Sequence, residues 1–345
     1  MPSTRVLITG GSGYFGSLLR DRLRDRGAAI RVFDVSDAND RTSDIEFLGG
    51  DIRDQAKVQE ACNGCAVIYH CVAQVPLAKD RHLFESVNIG GTDNLLRAAV
   101  AARIRKVIYI SSSAIFGAPK INPVTEATSP TPAEAYGRAK LEGEQLCAKY
   151  GAQGLDVSII RPRTIMGHGR LGIFQILFEW IRTGYNVPVF GQGDNIYQFV
   201  HADDLADACI LAAQRPGGAT YNCGTDRFGP MREVLEHLCA HAKTGSKVRS
   251  VPMAPTVALM NITAALGMSP LGPYHALMYG RSLYFDIAKS KQELGWQPKF
   301  SNNEMFVQSY EWYLAHREKI LAAHGASHHR SAVKQGILGL VKRLL

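Results

Sequence analysis

The segment Tyr136-Gly-Arg-Ala-Lys140 sets a phenol and an ammonium four residues apart, one turn along the same helical face. A free tyrosine, with a pKa of ~10, is a poor base at neutral pH. A neighbouring ammonium favours the phenolate and is expected to lower that pKa. Tyr136 can then take a proton from a hydroxyl while hydride leaves the same carbon, or do the reverse. The spacing recurs by chance in unrelated chains, so its meaning depends on the surrounding sequence.

A second cluster supplies that setting. Gly10-Gly-Ser-Gly13-Tyr-Phe-Gly16 lies between the apolar run Val6-Leu-Ile-Thr9 and a helical pattern over Tyr14 to Arg26, with Phe15, Leu18, Leu19 and Leu23 on one side. In such a turn Gly10 permits the tight bend, Gly13 lets backbone approach a pyrophosphate, and Gly16 lets helix and strand pack closely. The free N–H groups of the helix start then face the phosphates. Asp34 ends the run Ile30-Arg-Val-Phe33, about twenty residues on, where a carboxylate accepts from the adenosine ribose hydroxyls. A negative charge there repels a 2′-phosphate, so the expected cofactor is NAD rather than NADP. Arg31 is expected to point elsewhere. An oxidised nicotinamide would add positive charge near Tyr136. Ser111-Ser112-Ser113 follows the run Val107 to Ile110, at the carboxyl end where ligands of open parallel sheets bind. A serine hydroxyl there can hold the substrate oxygen beside Tyr136.

These groups need a frame. Ile30 to Phe33, Val67 to Cys71 and Val107 to Ile110 read as buried strands, with a helix over Asn94 to Ala102. Strand–helix alternation predicts an α/β fold, a Rossmann-type doubly wound parallel sheet. Later elements are shorter: strands at Ser158 to Ile160, Val187 to Phe190, Gln198 to Val200 and Leu283 to Asp286, and helices at Ile173 to Arg182, Asp203 to Ala213 and Met231 to Ala242. They suit a smaller C-terminal substrate-binding lobe. The expected division is a mainly NAD-binding domain over 1–165, a substrate lobe over 166–320 with segments returning to the main sheet, and a tail over 321–345.

Two stretches stand apart. Ser250 to Gly280 holds no Asp, Glu, Lys or Arg, and four prolines interrupt it, which disfavours one continuous helix. It reads as a buried lid, an apolar wall for a greasy substrate, or a membrane-surface contact. The end, Gly336 to Leu345, reads as a short helix with Ile337, Leu338, Leu340, Val341, Leu344 and Leu345 on one side and Lys342 and Arg343 opposite. Such a helix can lie on the inner face of a membrane or pack on a partner subunit.

Composition narrows the classes. The net charge is +8, but no long Lys/Arg run or aromatic–basic interleaving marks a nucleic-acid reader. The seven cysteines are odd in number and scattered, which points to a reducing, cytoplasmic setting. Cys62-Asn-Gly-Cys65 has no second pair or histidine at metal-site spacing, so no metal is expected. The first strand begins at Val6, leaving no room for a signal peptide, and no run reaches the ~20 apolar residues of a membrane span.

From Val6 to about Trp312 the chain resembles the extended short-chain dehydrogenase/reductase family, which includes the NAD-dependent epimerases and dehydratases. Thr9 to Gly16 resembles its cofactor turn, Gly50-Asp51-Ile52 its adenine-side segment, and Val67 to Ala73 its cofactor-lining strand. Val87-Asn88-Ile-Gly-Gly-Thr92 resembles the helix carrying the family's asparagine, and Ile110 to Gly117 the segment with the catalytic Ser/Thr, here Ser112. Tyr136 and Lys140 match the catalytic pair, and Arg161-Pro162 a strand end beside the nicotinamide. Phe199 to Ala206 and Glu293 to Pro298 match later landmarks. The resemblance implies a homodimer with NAD contacts at Gly10, Gly13, Tyr14, Phe15, Gly16, Asp34, Asp51, Ile52, Ala73, Asn88, Tyr136, Lys140 and Pro162.

Departures bear on the reaction. Dehydratase-like members carry Asp-Glu just after the catalytic Thr, whereas Ser113 and Ala114 stand here, so dehydration is not expected. Nucleotide-sugar members often place an Arg ahead of the Phe-Val-His segment, whereas Asn195-Ile-Tyr-Gln198 has none. The uncharged stretch after Ser250 resembles the 3β-hydroxysteroid-dehydrogenase-like branch, where substrates are lipid-like and membrane contact is common. The expected activity is NAD-dependent interconversion of a secondary alcohol and a ketone on a small sterol- or terpenoid-like molecule. The alternative is a nucleotide-sugar 4-epimerase with tightly bound NAD, with Arg163, His168 and Arg170 serving the diphosphate.

Overall fold

The computed structural model describes residues 5–75, 81–170, 173–266 and 280–322. The helix expected after Gly336 and part of the uncharged stretch lie outside these residues. β1 (Val6–Thr9), β4 (Val67–His70) and β5 (Lys106–Ile110) are buried along their whole length, as strands covered on both faces must be. With β2 (Ile30–Asp34), β3 (Glu46–Gly49), β6 (Val157–Pro162) and β11 (Thr220–Cys223) they form a seven-stranded sheet in the order β11-β6-β5-β4-β1-β2-β3. All its pairings are parallel. The direction of winding reverses between β1 and β4, and the crevice over that switch point is where such sheets bind ligands.

Strand alternation sorts the side chains into two layers. Val6 and Ile8 pack with α1 (Tyr14–Arg24) and α7 (Ala202–Gln214) on one face. Leu7, Ile68 and Val107 pack with α2 (Gln55–Cys62), α4 (Gly91–Ala101) and α5 (Ala135–Gly151) on the other. The helix expected from Asn94 begins earlier. A short turn, α3 (Arg81–Leu83), widens into a π-helical stretch over Phe84–Gly90 and runs on into α4. The Gly90-Gly91 pair hid this start. At Gly91 an added Cβ would come within 2.5 Å of Ile52, so glycine lets the helix close on that side chain.

The rest forms a second core. β7 (Thr164–Met166) pairs with β10 (Phe199–His201), β8 (Val187–Phe190) with β13 (Val248–Val251), and β9 (Ile196–Tyr197) with β12 (Gly229–Pro230). Phe178 of α6 (Ile173–Arg182), Leu238 of α8 (Met231–Ala242), and Phe306 and Tyr313 of a long helix (Asn302–Ala322) share that core. The strand expected over Leu283 to Asp286 is reduced to isolated bridges, Leu283 with Tyr197 and Phe285 with Val124. The Gln198 side chain interrupts the ladder between them: its Oε1 accepts from Phe285 N at 2.8 Å. The prolines of the uncharged stretch permit α9 (Met253–Ala265), because Pro255 falls in its first turn, where no N–H is needed. Leu259 and Ile262 of α9 are more than half exposed, so this part is not a buried lid. Among the described residues no helix is long and apolar enough to cross a membrane.

Candidate active site

The turn after β1 is built for close approach. Gly10 has φ +75°, and an added Cβ would meet Val72 N at 2.8 Å. At Gly16 a Cβ would lie 2.0 Å from Gly10 O. Gly13 caps α1 without any side-chain bond to the helix start, and Ser12 Oγ is buried without a partner. Asp34 accepts from Ser12 N at 3.1 Å and Val35 N at 2.8 Å. Burial raises its carboxyl pKa despite these bonds. Arg31 turns away, donating to Glu46 and to the carbonyls of Ala61 and Asn63. A cradle that a Cβ would fill, uncapped helix N–H groups, an orphaned hydroxyl and a carboxylate at the β2 end fit a dinucleotide.

The other expected contacts surround this turn. Asp51 is held by Arg53 at 2.9 Å, and Ile52 is buried. Asn88 clamps the segment after Ala73, accepting from Gln74 N at 2.7 Å and donating to Gln74 O at 3.0 Å. Tyr14 is buried and donates to His168 O at 3.1 Å, with Phe15 in the same core. Pro162 closes β6, paired with Cys223.

Tyr136 opens α5, whose cap is Glu134, accepting from Tyr136 N at 2.7 Å and Gly137 N at 2.6 Å. Ser112 Oγ caps the short turn Ser113–Phe116 by accepting from Ala114 N at 3.1 Å. An added Cβ at Gly137 would lie 2.4 Å from Ala114 O, so glycine seats α5 directly on that turn. Ser112 lies near enough to Tyr136 to favour the phenolate. The expected lowering of the Tyr136 pKa is overturned: burial, with Glu134 adding to it, pushes the phenol up to about 12 against Ser112 and Arg170. Lys140 does not offset this, because its Nζ donates to Ile110 O at 2.7 Å and lies 5.0 Å from the Tyr109 ring. Burial pushes the Lys140 ammonium down to about 8.

Sequence reasoning missed Glu144, one turn beyond Lys140. It accepts from Ser111 Oγ at 2.5 Å and from Arg161 Nε and Nη2 at 2.9 and 2.6 Å. This buried cluster ties the ends of β5 and β6 to α5, and so sets Ser112 against Tyr136. The available signal was a carboxylate four residues after Lys140, on the same buried face. Glu144→Ala leaves Arg161 buried and unpaired, and is expected to cost ~3–5 kcal/mol in urea unfolding; a loss below ~1 kcal/mol would show the cluster to be dispensable.

Arg163 and His168, expected to serve a diphosphate in the alternative reading, lie in two further groups. Arg163 is buried and donates to Ser113 Oγ at 2.7 Å. His168, His201 and Asp203 lie close enough to share a cation, but both His201 nitrogens are engaged, by Asp203 N at 3.1 Å and Gln308 Oε1 at 2.5 Å. Arg22 pairs with Asp203 at 3.2 Å. These contacts explain the trio structurally.

Residues 6–224 match the family described as the NAD dependent epimerase/dehydratase family. Over 337 residues the chain is 53% identical to the uncharacterized protein y4nG of Sinorhizobium fredii, covering 97% of this chain and 85% of that protein. It is 28% identical to a 3 beta-hydroxysteroid dehydrogenase/Delta 5→4-isomerase of Mycobacterium tuberculosis, covering 90% of each. A UDP-glucose 4-epimerase of Thermotoga maritima, solved with UDP-glucose, shares the fold with a TM-score of 0.76 at 22% identity, covering 90% of this chain and 99% of that one.

Proposed function

We propose, from the premise that this chain belongs to the NAD dependent epimerase/dehydratase family, that it interconverts a secondary alcohol and a ketone on an apolar small molecule. The enzyme is NAD-dependent. The observation that carries the reading is the meeting of Ser112 and Tyr136 at the carboxyl end of β5. The cofactor, when bound, supplies a hydride acceptor or donor. Gly10, Gly13, Tyr14, Phe15, Gly16, Asp34, Asp51, Ile52, Ala73, Asn88, Lys140 and Pro162 would hold it. Ser112 orients the substrate oxygen. Tyr136 takes its proton in oxidation and returns it in reduction. Lys140, now on Ile110 O, would reach the ribose.

The apolar assignment is supported by uncharged α9 and by the steroid in the mycobacterial relative's name. A nucleotide-sugar 4-epimerase would use the same proton carrier. Against it stand the burial of Arg163 between rings and the lack of an Arg over 195–198. We take the protein as a homodimer, with the exposed side of α9 touching a membrane surface. The test is NADH formation from 3β-hydroxysteroids. Conversion of UDP-sugars without net NADH, and no NADH from any hydroxysteroid, would overturn the reading.

The pKa of Tyr136 fixes the pH dependence. A phenol pushed up to about 12 is protonated at neutral pH. Reduction, which consumes that proton, is expected to stay flat between pH 7 and 9, where the phenol keeps it, and to slow only as pH approaches about 12. Oxidation, which needs the proton gone, is expected to accelerate by up to about tenfold per unit between pH 7 and 9. Flat profiles in both directions, measured at saturating cofactor, would exclude Tyr136 as proton carrier.

A further inference from the structure

The segment Gly167-His168-Gly169-Arg170 follows β7, and its two ends rest on different parts of the molecule. Gly167 is tied to the second core: its N–H donates to Ser309 Oγ at 3.1 Å, on the long helix Asn302–Ala322. The next three residues lie against Tyr14. Tyr14 Oη donates to His168 O at 3.1 Å. A Cβ added at Gly169 would lie 3.5 Å from Tyr14 Cε2. The Arg170 guanidinium stands 5.6 Å from the centre of the same ring. Gly167 and Gly169 have φ of +126° and +76°, backbone that glycine adopts at no steric cost, so the path over Tyr14 is written into the sequence.

Tyr14 is also the first residue of α1, directly after Gly13. The N–H groups of this helix start have no side-chain cap, and they face the place that a pyrophosphate takes on such a turn. Its backbone therefore belongs to the cofactor turn, while its side chain, 8% exposed, carries residues 168–170. At the far end of that segment the charge of Arg170 reaches Tyr136 and favours its phenolate. One residue thus joins the cofactor turn to a group that acts on the proton carrier.

We propose that Tyr14 is a positioning residue through which the cofactor sets the 167–170 segment: NAD on the glycine turn fixes the start of α1, Tyr14 is fixed with it, and the segment that carries Arg170 is held in place. This rests on the cofactor site of the reading above and is independent of the substrate. The coupling needs no large movement. A ligand that orders one residue lowers the entropy cost of every contact that residue makes, and here those contacts are the bond to His168 O and the packing of Gly169 and Arg170 on the ring. Gly167 stays on Ser309 whether or not the turn is loaded, so the response falls on residues 168–170.

The test is amide hydrogen exchange at single-residue resolution on the full-length protein, with and without saturating NAD. It is read at Arg170, whose N–H donates to Gly167 O at 3.2 Å, and at Gly167, whose N–H is held by Ser309. In wild type NAD is expected to slow exchange at Arg170 by about fivefold or more, and less at Gly167. Tyr14→Phe removes one oxygen and keeps the ring. It should cut the NAD-induced slowing at Arg170 to below about twofold, while NAD affinity, measured by calorimetry, stays within a few-fold of wild type. An Arg170 amide indifferent to bound NAD in wild type overturns the proposal, whether or not the variant folds. So does a Tyr14→Phe protein that keeps the full slowing, including one whose exchange is faster by the same factor with and without NAD, as a merely structural contact would make it. NAD-induced protection without NADH from any alcohol keeps this role for Tyr14 and removes the alcohol–ketone reading; NADH formation with an indifferent Arg170 amide does the opposite.

Discussion

Tyr136→Phe is expected to lower turnover by about 10²–10⁴-fold, the range a positioned proton carrier contributes, while leaving NAD affinity within a few-fold. The two effects separate because the variant removes one oxygen only. The ring keeps its packing near Phe84, 6.2 Å away between centroids. The helix start is unaffected, since Glu134 caps α5 through the backbone N–H groups of residues 136 and 137. What disappears is the hydroxyl that Ser112 meets. Ser112→Ala should cost less, because the proton carrier remains and only its alignment suffers. The measurement is kcat under saturating NAD beside NAD titration by calorimetry. A Tyr136→Phe enzyme of full activity would move the proton transfer to another group. A variant that no longer binds NAD would make Tyr136 a cofactor anchor first.

Legibility in the sequence followed the range of the interactions. The glycine turn, Asp34, and the Tyr136–Lys140 pair were readable because each depends on neighbours within one strand, turn or helix. The parallel sheet was readable because its strands are apolar throughout. What escaped were facts set by residues far apart in the chain. Glu144 looks like an ordinary surface helix residue until Ser111 and Arg161 arrive from two other strands. The Leu283–Asp286 segment has strand-like residues, yet its backbone bonds are split between residues 196–198 and Val124, and the Phe285 N–H goes to a side chain from position 198. The Tyr136 pKa was misjudged for the same reason. Spacing puts an ammonium one turn away, but spacing does not reveal that Ile110 O holds it, or how far burial outweighs it.

Gly16→Ala and Gly13→Ala, two methyl additions within one turn, are expected to fail differently. At Gly16 the new Cβ would stand 2.0 Å from Gly10 O, 2.8 Å from Gly10 C and 2.9 Å from Gly11 Cα. All three are backbone atoms, so no side chain can swing aside. Gly10 cannot retreat either, because its own α-carbon already faces Val72 N and Cys71 C across the exit of β4. The helix must therefore separate from β1, with an expected loss of about 3 kcal/mol or more of stability and of NAD affinity together. At Gly13 an added Cβ meets only Gly10 O, at 3.3 Å. A shift of a few tenths of an ångström absorbs that, so Gly13→Ala should fold within about 1 kcal/mol of wild type. Its methyl nevertheless stands at the uncapped start of α1, where backbone must approach the pyrophosphate, and NAD affinity should fall by about tenfold or more. Thermal unfolding with and without NAD separates the cases: Gly16→Ala lowers Tm in both, whereas Gly13→Ala keeps the cofactor-free Tm and loses most of the NAD-induced rise. If Gly13→Ala binds NAD as wild type does, the pyrophosphate does not sit on this turn.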